Sequence, residues 1–195
     1  MSVLPKIVLH ICCAPDEAYV INLLRAEYQL HCFFCNHNIY PVTEYELRFA
    51  EAQKVAERYN IPFSADSYEP SLWTQVVKDL ENTPEGGQRC RECFLLRLRR
   101  TASFCKNLGW SAFTSVMSVS PHKNITMLNE TGALAAREQE MEYIPFNFKK
   151  KDGFRKSIAL SNSLGLYRQD YCGCQLSLKE RNIRLKEKLF KKDHS

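Results

Sequence analysis

Apolar and polar positions follow two rhythms along the first three quarters of the chain. The short apolar runs "KIVLHI", "LHCFF", "IPFSA", "AFTSVMSV" and "EYIPF" read as buried strands, and the amphipathic stretches between them are long enough for helices. The clearest helix is "PVTEYELRFAEAQKVAERYN", where Pro41 stands in a first-turn setting and Tyr45, Phe49, Ala52, Val55 and Ala56 mark one face. A second, "CFLLRLRRTASFCKNLG", closes at Gly109. Strand–helix alternation predicts an α/β fold with a mainly parallel sheet and right-handed crossovers. Functional groups should then gather beyond the C-terminal ends of the strands. "EPSLWTQVVKDLENTPEGGQRC" carries its turn residues late and predicts an inserted helix and loop. After about residue 147 the pattern changes to a polar segment ending in "YCGC" and then a basic amphipathic helix. The expectation is a single domain over 1–195, with a core of about 6–147 and a C-terminal helical extension of about 148–195 that packs back on the site.

Composition changes this picture at one point. The 195 residues, 45% of them hydrophobic, suffice for one ordinary core. There is no leader-like start, and no run approaches the roughly 18 apolar residues of a membrane span. A cytoplasmic protein with no membrane partner is expected. A net charge of +5 permits a nucleic-acid partner without demanding one. Cysteine is the unusual number: nine, at 12, 13, 32, 35, 90, 93, 105, 172 and 174. In a reducing compartment, closely paired thiols point to zinc, iron–sulfur or redox chemistry rather than disulfides.

The pairs differ in what their surroundings suggest. Cys12 and Cys13 end the first strand in "CCAPD", where a nucleotide-binding domain would carry glycines. Adjacent residues at a strand end are expected to diverge, so that each serves a different center; the bland alternative is a pair of small buried hydrophobes. Cys90 and Cys93 form a Cys-x-x-Cys at a helix start, which suits metal ligation, with structural zinc or a thioredoxin-like disulfide as rivals. Cys172 and Cys174 flank a glycine that lets the backbone fold tightly. Cys32 and Cys35 alternate along a strand toward opposite faces and read as core, as does Cys105. The loops "CNHNIYP" and "SVSPHKN" should face the same crevice. They offer Asn36, His37, Asn38, Tyr40, Ser118, Ser120, His122, Lys123 and Asn124, each of which taken singly is equally well a turn or cap residue.

The stretches "LHICCAPD", "NIYPVTEYELR", "EGGQRCRECFLLRLRRTA", "FTSVMSVSPHKN" and "FKKKDGFRKSIALSNSLGLYRQDYCGCQLSL" occur in order from Lys6 to Leu178. They closely resemble the epoxyqueuosine reductase family of the QueH type. The resemblance implies a nucleotide α-hydrolase-like (HUP-type) three-layer fold. It also implies a cobalamin-independent enzyme that reduces the epoxide of epoxyqueuosine at the tRNA wobble position, with a 4Fe-4S cluster and a second metal, iron, beside it. Carried over by motif, the ligand candidates are Cys12, Cys13, Asp16, Cys90, Cys93, Cys172 and Cys174. Many relatives read "CCAPC" where this chain has Asp16, whose oxygen makes a harder ligand. With divergence assumed, Cys13, Cys90 and Cys93 go to the cluster and Cys12, Asp16, Cys172 and Cys174 to the second metal. His122 or Tyr40 would supply a proton. Asn36, Asn38, Ser118, Ser120 and Lys123 would bind substrate.

The implied partners are tRNA carrying epoxyqueuosine in its anticodon loop and an external electron donor. The basic runs "FKKKDGFRK" and "LKERNIRLKEKLFKK" could contact phosphates or simply be solvated faces. Two rivals differ in class. An ATP-dependent tRNA thiolase with a three-cysteine cluster would keep a Ser-Gly-Gly loop, yet no glycine lies between Lys6 and Arg48. A zinc-stabilized RNA-binding module would carry zinc and no iron.

Overall fold

The computed structural model describes residues 3–193, with side chains through residue 190. Lys191 and Lys192 of the second basic run therefore lie outside the described side chains. Five strands, β1 (Lys6–Ile11), β2 (Gln29–Phe34), β3 (Phe63–Ala65), β4 (Ala112–Ser115) and β5 (Glu142–Tyr143), form one sheet in the order β3-β2-β1-β4-β5. Every pairing is parallel. In the central strand, Ile7 through Ile11 are all fully buried, because helices cover both faces. A Leu→Ala change at Leu9 would cost about 2–5 kcal/mol.

Helices α1 (Ala14–Leu24), α2 (Val42–Arg58) and α6 (Gly153–Ser163) share one hydrophobic cluster with the odd positions of β1. Helix α4 (Gln88–Asn107) and α5 (Ile125–Gln139) pack on the other face against Val8, Phe33 and Phe113. Cys32 lies in the first cluster and Cys35 in the second, on the two faces that strand alternation requires. Cys105 is likewise core. Helix α3 (Pro70–Val76) is the inserted helix, and α7 (Gln175–Asp193) closes the described chain.

Three elements differ from their apolar patterns. "AFTSVMSV" is a strand only to Ser115, after which Val116–Val119 winds into a 3-10 turn. The Ser115 hydroxyl accepts the Met117 N–H, diverting the backbone from the sheet ladder. "EYIPF" contributes only Glu142–Tyr143, since Pro145 has no N–H to donate. Pro41 sits at the cap position before α2 rather than inside its first turn. Gly109 ends α4 as expected, two residues after Asn107, with φ of 71°.

The strand order reverses between β1 and β4, so a crevice opens beyond their C-terminal ends. The chain after β5 returns to this end. Helix α6 packs on α1, and a Cβ on Gly153 would stand 1.7 Å from the Phe148 carbonyl oxygen, so only glycine fits there. Arg89, buried at the start of α4, donates to Glu180 of α7 and to the Thr83 carbonyl, fixing the last helix against the inserted loop. Among the described residues no helix is long and apolar enough to cross a membrane.

Candidate metal center

A cavity of about 650 Å³ occupies the crevice, within the usual size of small-molecule sites. Cys12, Cys13, Asp16, Ser120, His122, Lys123 and Cys172 line it. The Cys12 and Cys13 sulfurs are 3.9 Å apart, and with an Asp16 oxygen they form a trio whose ligand atoms all lie within 4.8 Å. The expected divergence of the two cysteines is therefore corrected. β1 has ended at Ile11, and Cys13 caps α1 with φ −166° and ψ 151°, so strand alternation no longer governs where these side chains point. The two thiols share a hydrogen bond that holds Cys12 below its ordinary pKa and, together with burial, pushes Cys13 well above it. Burial, and then Cys13, push the Asp16 carboxyl well up.

A second set of thiols lies beside the first. Cys90 and Cys93 stand one turn apart on α4, and Cys90 Sγ accepts the Gly86 N–H at 3.2 Å. Cys93 and Cys174 pack together against Trp73 and Val77. Burial raises the pKa of Cys93 to about 12, with Cys172, Cys174 and Cys90 adding like-charge repulsion against an opposing Arg97. Burial also raises Cys90 and Cys174, and each feels Cys172. Lys123 Nζ donates to Cys172 Sγ at 2.6 Å. Burial alone would depress that ammonium, but the Cys172 sulfur reverses the sign and holds it charged.

The "YCGC" turn is tied down from a distance. Arg48, buried on α2, donates from Nη1 to the Cys172 carbonyl (3.1 Å) and from Nη2 to the Tyr171 carbonyl (3.2 Å). Its Nε donates to Glu44 at 2.7 Å, and its guanidinium lies over the Tyr171 ring at 5.3 Å. The Tyr40 N–H donates to the Gly173 carbonyl at 2.8 Å, and the Tyr171 hydroxyl donates to the Tyr40 carbonyl. Gly173 has φ of 129°, and a Cβ there would meet Arg48 Nη1 at 3.1 Å.

Several expected pocket residues do other work. Asn36 is buried, accepting from Arg97 Nη2 at 2.6 Å and donating to the Ile11 carbonyl at 2.9 Å. The Ser118 hydroxyl is buried and accepts the Phe148 N–H. Asn38 is buried beside Gly173, and the Tyr40 side chain is exposed outside the cavity. None of these four lines the cavity: Asn36 on the β2–α2 loop is engaged by Arg97 and the Ile11 carbonyl, and Ser118 on the turn after β4 by the Phe148 N–H. Asn124 caps α5 by accepting the Met127 N–H. His37 turns to Asp66: its Nε2–H donates there at 3.1 Å, while Nδ1 accepts the Glu69 N–H. Cys35 donates to the same carboxylate at 3.4 Å and Arg100 pairs with it bidentately, so Asp66 is engaged by three side chains. The chain pattern did not single out Arg48, Arg97, Arg168 or Gln169, although all four lie inside the quoted stretches.

The donor set suits soft metals. Six free thiols converge with one carboxylate, and burial penalizes the ionization of most of them unless a positive ion compensates. A tetrahedral site with metal–sulfur bonds of about 2.3 Å has an edge of about 3.8 Å, close to the Cys12–Cys13 separation. Gln169 lines the cavity and its buried Oε1 has no partner.

Comparison with known proteins places the chain in a family. Residues 7–180 match the family described as epoxyqueuosine reductase QueH. Proteins of that name from Streptococcus pyogenes serotype M1 and Thermotoga maritima are 36% and 35% identical to this chain. The alignments cover 94% of this chain and 74% of the former, and 96% of this chain and 98% of the latter. One from Acinetobacter baylyi is 37% identical over 91% of this chain and 82% of its own length. Among solved structures, the U34-tRNA thiolase NcsA from Methanococcus maripaludis with its 4Fe-4S cluster superposes with a TM-score of 0.57 at 14% identity, covering 90% of this chain and 62% of that one. A predicted subunit of tRNA methyltransferase from Methanocaldococcus jannaschii gives 0.56 at 11%, covering 80% and 75%. These two likenesses concern the fold. With its motifs, its cysteine-lined crevice and this extent of identity, the chain belongs to the epoxyqueuosine reductase QueH family, oxidoreductases of tRNA modification.

Proposed function

We propose that this protein reduces the epoxide of epoxyqueuosine in the anticodon loop of tRNA to the alkene of queuosine, using a 4Fe-4S cluster and one adjacent iron. The observation that carries the reading is the meeting of Cys12, Cys13, Asp16 and Cys172 with Lys123 and His122 around one cavity. Their proximity supports Cys12, Cys13 and Asp16 as the single-iron set and Cys90, Cys93 and Cys174 as the cluster set, with Cys172 between them. This replaces the division that rested on divergence of the first pair. When bound, the metal group supplies the two electrons and a Lewis-acidic position for the epoxide oxygen.

The chain's own residues do the rest. The modified base enters the cavity unstacked, and Arg168 and Arg184 on its lining meet the flanking phosphates. The Lys123 ammonium, fixed against Cys172, orients the oxygen. His122 gives the oxygen one of the two protons with which it leaves as water, the second coming from solvent in the cavity. Ser120 accepts the His122 N–H and shapes the turn that carries the imidazole. We read residues 1–195 as one domain whose extension from about 148 completes the site.

Anaerobic purification followed by iron and sulfide analysis, and nucleoside analysis of epoxyqueuosine-containing tRNA incubated with a strong reductant, tests this. Iron, sulfide and queuosine formation are expected. Zinc without iron would instead favor the RNA-binding module, and sulfur transfer dependent on ATP the thiolase.

A further inference from the structure

Arg97 is a buried cation with no carboxylate paired to it among the described residues. It stands on α4 four residues after Cys93 and seven after Cys90, hence on the same helix face, and is 3% exposed. Its Nε donates to the Cys35 carbonyl at 3.2 Å and its Nη2 to the Asn36 Oδ1 at 2.6 Å. Asn36 is itself held by the Ile11 carbonyl. Every one of these acceptors is neutral. Among the described residues no carboxylate forms an ion pair with Arg97.

An uncompensated buried guanidinium is strongly destabilizing, so its retention calls for an anion within reach. Burial opposes its charge, but the sulfurs of Cys93, then Cys12 and Cys172, more than restore it. Those three belong to both thiol sets. The same Cys35 carbonyl also accepts from His10 Nε2 at 3.1 Å. Ser115 completes the arrangement at His10 Nδ1 (2.9 Å). One permanent positive charge is thus fixed, by a planar fork and two neutral acceptors, on the α4 face that carries Cys90 and Cys93.

We propose that Arg97 is the fixed counter-charge of the thiolate-held metal group, a positioning residue that sets how readily that group accepts an electron. The inference rests on the reading given under Proposed function. Each added electron increases the negative charge of the thiolate–metal assembly, and a fixed cation in a low-dielectric site stabilizes the reduced form more than the oxidized one. Removing the cation should make reduction harder. Keeping the charge while losing the fork should largely preserve it.

The test is a redox titration of the full-length protein, prepared anaerobically with its metals and followed by visible absorbance and electron paramagnetic resonance. At the wild-type midpoint, Arg97→Gln should raise the oxidized-to-reduced ratio at least about tenfold, a shift of about 59 mV for one electron. Arg97→Lys should stay within about threefold of wild type on the same scale. If Arg97→Gln does not fold, Asn36→Asp supplies a carboxylate to the guanidinium and should shift the ratio in the same direction. A folded Arg97→Gln or Asn36→Asp protein with the wild-type ratio overturns the proposal. So does an equal loss in Arg97→Lys and Arg97→Gln, which would mark shape rather than charge. Wild-type protein without iron overturns the proposed function together with this inference, whereas a metal-replete wild type with an unshifted variant overturns this inference alone.

Discussion

Replacing Arg48 by methionine should release the "YCGC" turn while leaving the sheet intact. Methionine keeps most of the buried stem but none of the three donors that reach Glu44, the Tyr171 carbonyl and the Cys172 carbonyl. Two carbonyls are then left without their charged partner, and removing one member of such a buried polar group costs about 3–5 kcal/mol. The loss falls on the docking of the extension, because Arg48 bridges α2 to residues more than a hundred positions away. Some of the docking survives through the Tyr40–Gly173 backbone bond and the Arg89–Glu180 pair. Each 1.4 kcal/mol is tenfold in an opening equilibrium, so local opening should become about 100- to 4,000-fold more frequent. Alkylation of the buried Cys174 in metal-free protein reads that opening directly, with Cys105 in the sheet core as internal control. Faster labeling of Cys174 with little change at Cys105 is expected. A rise below about tenfold would refute the view that Arg48 holds the turn, and equal rises at both cysteines would show a global role instead.

Asp16→Ala should keep the visible absorbance of a cluster but lose about one iron per chain and the reductase activity, as metal analysis and tRNA nucleoside mass spectrometry would report. Charge reversal at the exposed Lys150 and Lys151 should weaken tRNA binding and lower the salt-dependence slope by about 0.7–0.9 for each phosphate no longer neutralized, checked by titrations at several salt concentrations. Lys149 is less informative, since it donates to the Lys123 carbonyl at 2.9 Å. Burial opposes ionization of Asp66, but the Arg100 hydrogen bonds outweigh it and depress its pKa. Its stabilizing contribution is therefore complete above the unfolded value near 3.8 and is lost as pH falls through the lower folded value. Asp66→Asn should be less stable at neutral pH and should lack that part of the acid loss, as urea unfolding across pH would show.

The parallel sheet was legible because it rests on local signals. Apolar runs alternating with amphipathic stretches fix element type by periodicity, and glycine at Gly109 fixes a helix end by backbone freedom. The Cys-x-x-Cys pair was legible for the same reason, since one helical turn brings the two residues to one face whatever surrounds them. The sequence motifs also placed "CCAPD" at the end of the first strand, and the structure leaves it there. Tertiary contacts decided the rest. Cys12 and Cys13 converge because a helix begins between strand rules and helix rules, where neither periodicity applies. Asn36 and Ser118 leave the pocket because Arg97 and the Phe148 N–H, brought up by distant segments, engage them. Arg48 finds the "YCGC" turn across 124 positions. No local pattern records such a pairing, because its energy comes from burying a charge among carbonyls that only the folded chain assembles.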